Sequence, residues 1–173
     1  MAQSQVSVER RNFNFSLDGL AELSKTLGFP FTFTEDLPQG FVGDFFWSGK
    51  KSFVKPWAKH LVLHEIAHAV ICPIPKLNTI NFGLGDPKNG LLPELSPGQL
   101  VEEEAKARVL EHFLANHYCN SGMTLNLLKR VNEDTFFPAY NWCVKKHLVR
   151  GEVFIGEEQI LNKFKVHFGD KYA

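Results

Sequence analysis

The chain has 173 residues, of which 44% are hydrophobic and 22% charged, and its 19 basic residues balance its 19 acidic residues. This size fits one domain with a substantial core, and the balanced charge excludes the basic excess typical of nucleic-acid-binding proteins. The N-terminal stretch has no signal-peptide core and no apolar run approaches a membrane span, so we expect a cytoplasmic protein with no membrane partner.

The first predicted element is a helix that follows a polar N-terminal stretch. We expect residues 1–15 to be flexible and residues 16–173 to form a single domain. Leucines at helical spacing follow Ser16, a good helix cap, and end before Gly28, a common helix stop. This pattern predicts a helix over residues 17–27.

Short strands and a second helix are predicted next. Aromatic and β-branched residues at 29–34 and 44–47 flank a turn-forming segment, which predicts two short strands or a hairpin. The largely apolar segment that opens at Pro56 and ends at Pro73 predicts one buried helix. A brief strand is predicted at residues 79–82.

The remainder of the chain predicts three further helices. Ser96 followed by a proline is a strong helix start, and the periodic pattern after it runs to Tyr118. Two more helices are predicted over residues 136–150 and 157–168. The fold class that results is mainly α, an α+β arrangement with a central helix and a few short strands in one compact domain.

The chemistry-bearing motif is LVLHEIAHAV at residues 61–70. Its two histidines, His64 and His68, are four residues apart, so on a helix their rings project to the same side, with Glu65 at the edge. Imidazole nitrogens on a rigid element are suited to Zn(II) or Fe(II). The pattern favours a divalent metal site over the alternative of two core histidines that each bond a carbonyl or carboxylate.

A third ligand is expected from the helix after Ser96, which carries three consecutive glutamates. By helical angle Glu102 points away from the inner face, Glu103 lies near its centre and Glu104 at its margin. Periodicity alone therefore favours Glu103 as the ligand, while an acidic first turn stabilised by the helix dipole explains at least one of the three. The inner face itself is defined by Leu100, Ala107, Leu110 and Leu114.

Three segments together resemble the elongation factor P hydroxylase family. They are HEIAH (64–68), NFG (81–83) and QLVEEEAKARVL (99–110). The resemblance implies a single-domain metalloenzyme with His64, His68 and Glu104 as ligands, and so favours Glu104 over Glu103. It also implies a protein substrate, a modified lysine on elongation factor P. The chain departs from the family where Asn81 stands in place of its aspartate.

More distantly, the motif resembles gluzincin zinc metallopeptidases. There Glu65 would act as the general base that activates a zinc-bound water. In the hydroxylase interpretation the same site would hold Fe(II), which we favour over Zn(II), and Glu65 would orient a water or a substrate amine. The identity of the metal therefore separates the two functions.

Overall fold

The computed structural model describes residues 16–122, 124, 129 and 134–169, which form a mainly helical fold with a few short strands. The predicted fold class is confirmed; the prediction for residues 1–15 lies outside the described residues. The helices are α1 Leu17–Leu27, α2 Val62–Ile71, α3 Pro97–Cys119, α4 Phe136–Lys145 and α5 Glu157–Phe168. The strands are β1 Phe31–Phe33, β2 Phe45–Trp47, β3 Ser52–Val54, β4 Val149–Arg150 and β5 Val153–Phe154.

Helices α1 and α3 begin and end where their caps predict. The Ser16 side chain accepts the Gly19 N–H at 3.0 Å, and Gly28 ends α1 with a left-handed φ of 73°. At the start of α3, Ser96 and Gln99 each bond the other's backbone N–H in a reciprocal capping box. The caps thus position the helix that carries the three glutamates.

The predicted strands form, but they do not form a hairpin with each other. Strand β3, which was not predicted, lies between β1 and β2 in the sheet. It pairs parallel to β1 and antiparallel to β2. Each of these strands has only three residues. Because Lys51 and Lys55 flank β3 closely, the alternation of apolar and polar residues that marks a strand is too short there to predict it.

The predicted helix from Pro56 to Pro73 is in fact two elements. Pro56–Leu61 is a 3-10 segment with a kink at Ala58, and the α-helix α2 begins at Val62. At the C-terminal end of α2, the Lys163 ammonium on α5 donates to the carbonyls of Val70 and Cys72 at 2.7 and 2.6 Å. Lys163 therefore satisfies the last carbonyl groups of the histidine-bearing helix.

The strand predicted at residues 79–82 is wrong. A 3-10 turn occupies Ile80–Gly83, and Asn81 and Phe82 have left-handed φ values of 45° and 57°. The turn is fixed by β2, because the Trp47 N–H donates to Asn81 Oδ1 at 3.0 Å. Left-handed backbone is uncommon for a residue as large as phenylalanine. The β-branched and aromatic residues of this segment therefore predicted a strand and gave no sign of the turn.

The helix predicted over residues 136–150 ends early. Helix α4 stops at Lys145, and Val149–Arg150 pairs antiparallel with Val153–Phe154. The turn between these strands contains Gly151, whose φ of 60° is readily adopted by glycine. The last predicted helix, over residues 157–168, is confirmed.

Two packing units meet in the core. Helix α2 packs along α3, and beside them lies an aromatic cluster. We define the aromatic cluster by its stacked and edge-on rings: Phe29, Trp47, Phe82, Phe164 and Phe168. Within the described part of the chain, no helix combines the length and apolar character needed to cross a bilayer.

Candidate metal centre

Helices α2 and α3 bring two imidazoles and one carboxylate together. His64 Nε2 lies 3.2 Å from one Glu104 oxygen, and His68 Nε2 lies 3.2 Å from the other. The two Nε2 atoms are 3.1 Å apart. We call these three residues the His-His-Glu group; their ligand-type atoms all lie within 4.8 Å of one another. The group contains the three residues that the family resemblance implied as ligands.

The spacing of this group fits a divalent ion. Nitrogen and oxygen ligands at about 2.05 Å from a tetrahedral zinc are separated by about 3.3 Å. Adjacent ligands of an octahedral ion at the same distance are separated by about 2.9 Å. The observed separations of 3.1–3.2 Å, in which each imidazole lies near a different oxygen of Glu104, fall between these values. The donor set of two imidazoles and one carboxylate therefore suits Zn(II) and Fe(II) equally.

A second carboxylate, which the sequence analysis missed, lies behind the group. Glu111 is only 1% exposed, and its Oε2 lies 3.1 Å from Nδ1 of His64. A signal existed, because Glu111 follows Glu104 by seven residues, two helical turns, inside the apolar run VLEHFLA. A charged residue in such a run is rare unless it is paired.

The electrostatics of the group are those of a cation site. Burial disfavours a charged His64, but the carboxylates of Glu104 and Glu111 outweigh burial and raise its pKa to about 10. Burial also disfavours the charged form of Glu104 and by itself would raise the pKa of that carboxyl. The hydrogen bonds from His64 and His68 nevertheless hold this pKa well below its usual range. In the metal-free protein a proton on His64 thus supplies the positive charge that these carboxylates require.

His68 is held differently from His64. Its Nδ1 is buried and has no hydrogen-bond partner within the described segments, and burial lowers its pKa. The Phe82 ring stacks against the imidazole, with centroids 6.4 Å apart. An unpartnered buried nitrogen costs about 1–3 kcal/mol. The polar interactions of this ring therefore lie at Nε2, the atom that faces the group.

The other glutamates of the two motifs lie outside the group. Glu65 is half-buried on α2 without a hydrogen bond to any described residue, and burial raises its pKa to about 8. Glu102 is exposed, and Glu103 lies 3.8 Å from Lys106. Glu104, rather than the Glu103 that helical periodicity favoured, is thus the residue brought to both imidazoles.

An open cavity of about 500 Å³ adjoins the group, with His68 and Glu104 in its wall. At its margin, Arg108 Nε donates to Glu104 Oε1 at 3.3 Å. The wall combines aliphatic side chains with polar and charged ones, and none of the described residues that line it lies in a strand. The aliphatic lining comprises Leu84, Leu100, Val101 and Ala105.

Comparison of the chain with protein-family models, with curated proteins and with solved structures finds no match. The resemblance to elongation factor P hydroxylases and to gluzincins stays a prediction from the motifs, as do the ligand roles of His64, His68 and Glu104 and the role of Glu65.

Proposed function

We propose that the chain is a cytoplasmic, metal-dependent hydroxylase that holds one non-haem Fe(II) through His64, His68 and Glu104. The observation that carries the proposal is the convergence of two imidazoles and one carboxylate beside an open cavity. Such a group occupies one face of an ion and leaves positions free for a small molecule. Fe(II) in this setting supplies activation of O2 next to a substrate C–H bond.

The residues of the chain supply orientation, charge and a dry environment. Glu104 contributes negative charge and is itself held by Arg108. Buried apolar neighbours on α2, including Leu63 and Ala67, exclude water around the imidazoles. Glu65 lies beside the group in an environment that favours its protonated form, so it can donate a hydrogen bond to a bound small molecule or orient a substrate amine.

The cavity supports a long, flexible side chain as substrate. Its aliphatic lining favours methylene groups, and Glu103 in its wall offers a negative partner for an amine. Both features suit the modified lysine of elongation factor P, which we propose as the protein substrate. The substrate side chain would enter the cavity while the rest of the factor stays at the surface.

The alternative is a zinc-dependent peptidase or hydrolase of gluzincin type. The observation that favours it is the position of Glu65, which is electrostatically coupled to His64 and Glu104, where a carboxylate would act as general base. Zn(II) would supply an activated water in that case. Against it, no described residue of the cavity wall belongs to a strand that could bind an extended peptide. We therefore rank the hydroxylase first.

The test is a single-turnover assay on purified protein loaded anaerobically with Fe(II) and mixed with modified elongation factor P and O2. The expected result is the gain of one oxygen atom on the modified lysine, seen by mass spectrometry. His68→Ala should abolish the gain, and Glu102→Gln, an exposed change on the same helix outside both the cavity lining and the His-His-Glu group, should retain most of it. Cleavage of unrelated peptides by the Zn(II) form, with or without O2, would establish the alternative.

A further inference from the structure

We propose that Glu111 is the positioning residue of the metal centre. Its buried carboxylate accepts the Nδ1–H of His64 and keeps Nε2 of that ring directed toward His68 and Glu104. The proposal rests on the proposed function only in requiring that the group binds a divalent ion. It assigns a role to a residue that the sequence motifs do not contain.

The burial of Glu111 is the first argument. With 1% exposure it is as buried as the apolar core, and removing a carboxylate from water costs several kcal/mol unless a cation or donors compensate. Its oxygen lies 3.1 Å from His64 Nδ1, at normal hydrogen-bond distance. The hydrogen bond from His64 offsets part of the cost of burying this carboxylate.

The second argument is that helix α3 contacts both nitrogens of the His64 ring. Glu104 and Glu111 lie two turns apart on α3, about 10 Å along its axis. Glu104 lies 3.2 Å from Nε2 of His64, and Glu111 lies 3.1 Å from Nδ1. The imidazole therefore cannot rotate or exchange its nitrogens without breaking a contact with α3.

The contrast with His68 sharpens the role. Both imidazoles face the group through Nε2, yet Nδ1 of His68 has no partner among the residues described. His68 is oriented instead by packing, with its ring stacked on Phe82. The orientation of His64 is thus fixed by a hydrogen bond from its distal nitrogen, whereas that of His68 is fixed by packing.

A carboxylate that accepts the distal N–H of a ligand histidine fixes its tautomer and makes the nitrogen that faces the ion more basic. Loss of such a partner typically weakens metal binding about 10- to 100-fold. Glu111→Gln keeps the volume and one acceptor oxygen but removes the charge, and Glu111→Leu removes both. The two variants separate the contribution of charge from that of the hydrogen bond.

The experiment measures Zn(II) affinity by competition with a chromophoric chelator, with zinc as a diamagnetic probe. We expect binding about 10-fold weaker for Glu111→Gln and about 100-fold weaker for Glu111→Leu. The matched control is Glu102→Gln, which changes an exposed acid on the same helix and should bind within about twofold of the unmodified protein. In the zinc-loaded protein, NMR should show the His64 Nδ1–H shifted downfield and protected from exchange, and Glu111→Leu should lose both properties.

A merely structural role predicts another outcome: lower stability of the metal-free Glu111 variants in urea, with unchanged zinc affinity and an unchanged Nδ1–H signal. That result overturns the proposal while leaving the metal site intact. Failure of the unmodified protein to bind Zn(II) or Fe(II) overturns the proposed function and this role together. If Glu111→Leu does not fold, Glu111→Gln decides, since zinc affinity equal to that of the unmodified protein contradicts the role.

Discussion

The aromatic cluster and the His-His-Glu group meet at Phe82, which stacks on Trp47 on one side and on His68 on the other. The aromatic cluster gains its stability chiefly from apolar burial, because its rings need no partner outside the protein. The His-His-Glu group and Glu111 instead place imidazoles and carboxylates in the interior, where they require a proton or an ion to balance their charge. The difference teaches that stability and function occupy neighbouring regions with opposite physical requirements.

The largest expected effect is on metal content. His68→Ala should reduce bound metal from about one ion per chain to nearly none, because two protein ligands hold a divalent ion poorly. The metal-free stability should fall by about 1–3 kcal/mol, because the change removes the contact with Glu104 and the packing on Phe82, offset in part by the loss of the unpartnered Nδ1. Elemental analysis and urea unfolding measure the two quantities. Full metal occupancy in this variant would end the assignment of His68 as a ligand.

The aromatic cluster should respond in the opposite way. Trp47 has 0% exposure, stacks on Phe29 and Phe82, and donates its indole N–H to the Leu77 carbonyl at 3.0 Å. Trp47→Ala should lower the free energy of unfolding by about 3–5 kcal/mol.

The control for this change is Trp57→Ala. Trp57 is 61% exposed, and its removal should cost no more than about 0.5 kcal/mol. Urea unfolding checks both variants, and metal content measured below the unfolding transition should change in neither. If Trp47→Ala released the metal without loss of stability, the division between the two regions would fail.

The pH dependence of stability should expose the unbalanced charge of the metal-free site. The pKa of His64 is raised from 6.5 to about 10, so its contribution to stability is full below pH 6.5 and is lost as the pH rises to about 10. The raised pKa of Glu65 acts in the same direction between pH 4.5 and about 8. We expect a loss of a few kcal/mol over these ranges in urea unfolding with a chelator present.

The zinc-loaded protein should lose much less stability over the same pH range, because the ion replaces the proton on His64. Equal pH profiles with and without zinc would contradict this view of the site.

The smallest expected effect concerns the link between α5 and the end of α2. Burial lowers the pKa of Lys163, yet its ammonium still donates to the carbonyls of Val70 and Cys72. Lys163→Met should lower the free energy of unfolding by about 1–3 kcal/mol, the usual range for hydrogen bonds from a charged group. Lys165→Met, an exposed change on the same helix, is the control. A Lys163→Met protein as stable as this control would show that the two bonds contribute nothing.

The helices were the most predictable part of the molecule. Ser16 and Gly28 mark the two ends of α1, and Ser96 marks the start of α3. These ends were predictable because capping and terminating residues act locally and can be recognised in the sequence. The turn at Asn81 and Phe82 was mispredicted, because its left-handed backbone is fixed by Trp47, far away in sequence. Short strands such as β3 depend on similar long-range pairing.

The candidate site was predictable only in part. The helical spacing of His64 and His68 was sufficient to bring them together. The angular position around the helix favoured Glu103, because this angle describes how close a residue lies to the centre of the inner face. It does not describe the distance from the side chain to the two histidine rings. The motif resemblance led to Glu104, the acid that lies beside both imidazoles. Glu111 was missed because it lies outside the three motif segments.

The His-His-Glu group draws its members from two helices, and Glu104 follows His68 by 36 positions. For the proposed metal site, the isolated α2 segment would offer only a weak pair of nitrogens, and tight binding would begin only after α3 has packed against α2. Metal uptake would therefore report one event in folding. In a stopped-flow refolding experiment with a zinc-sensitive dye, the rate of zinc uptake would report when these two helices meet.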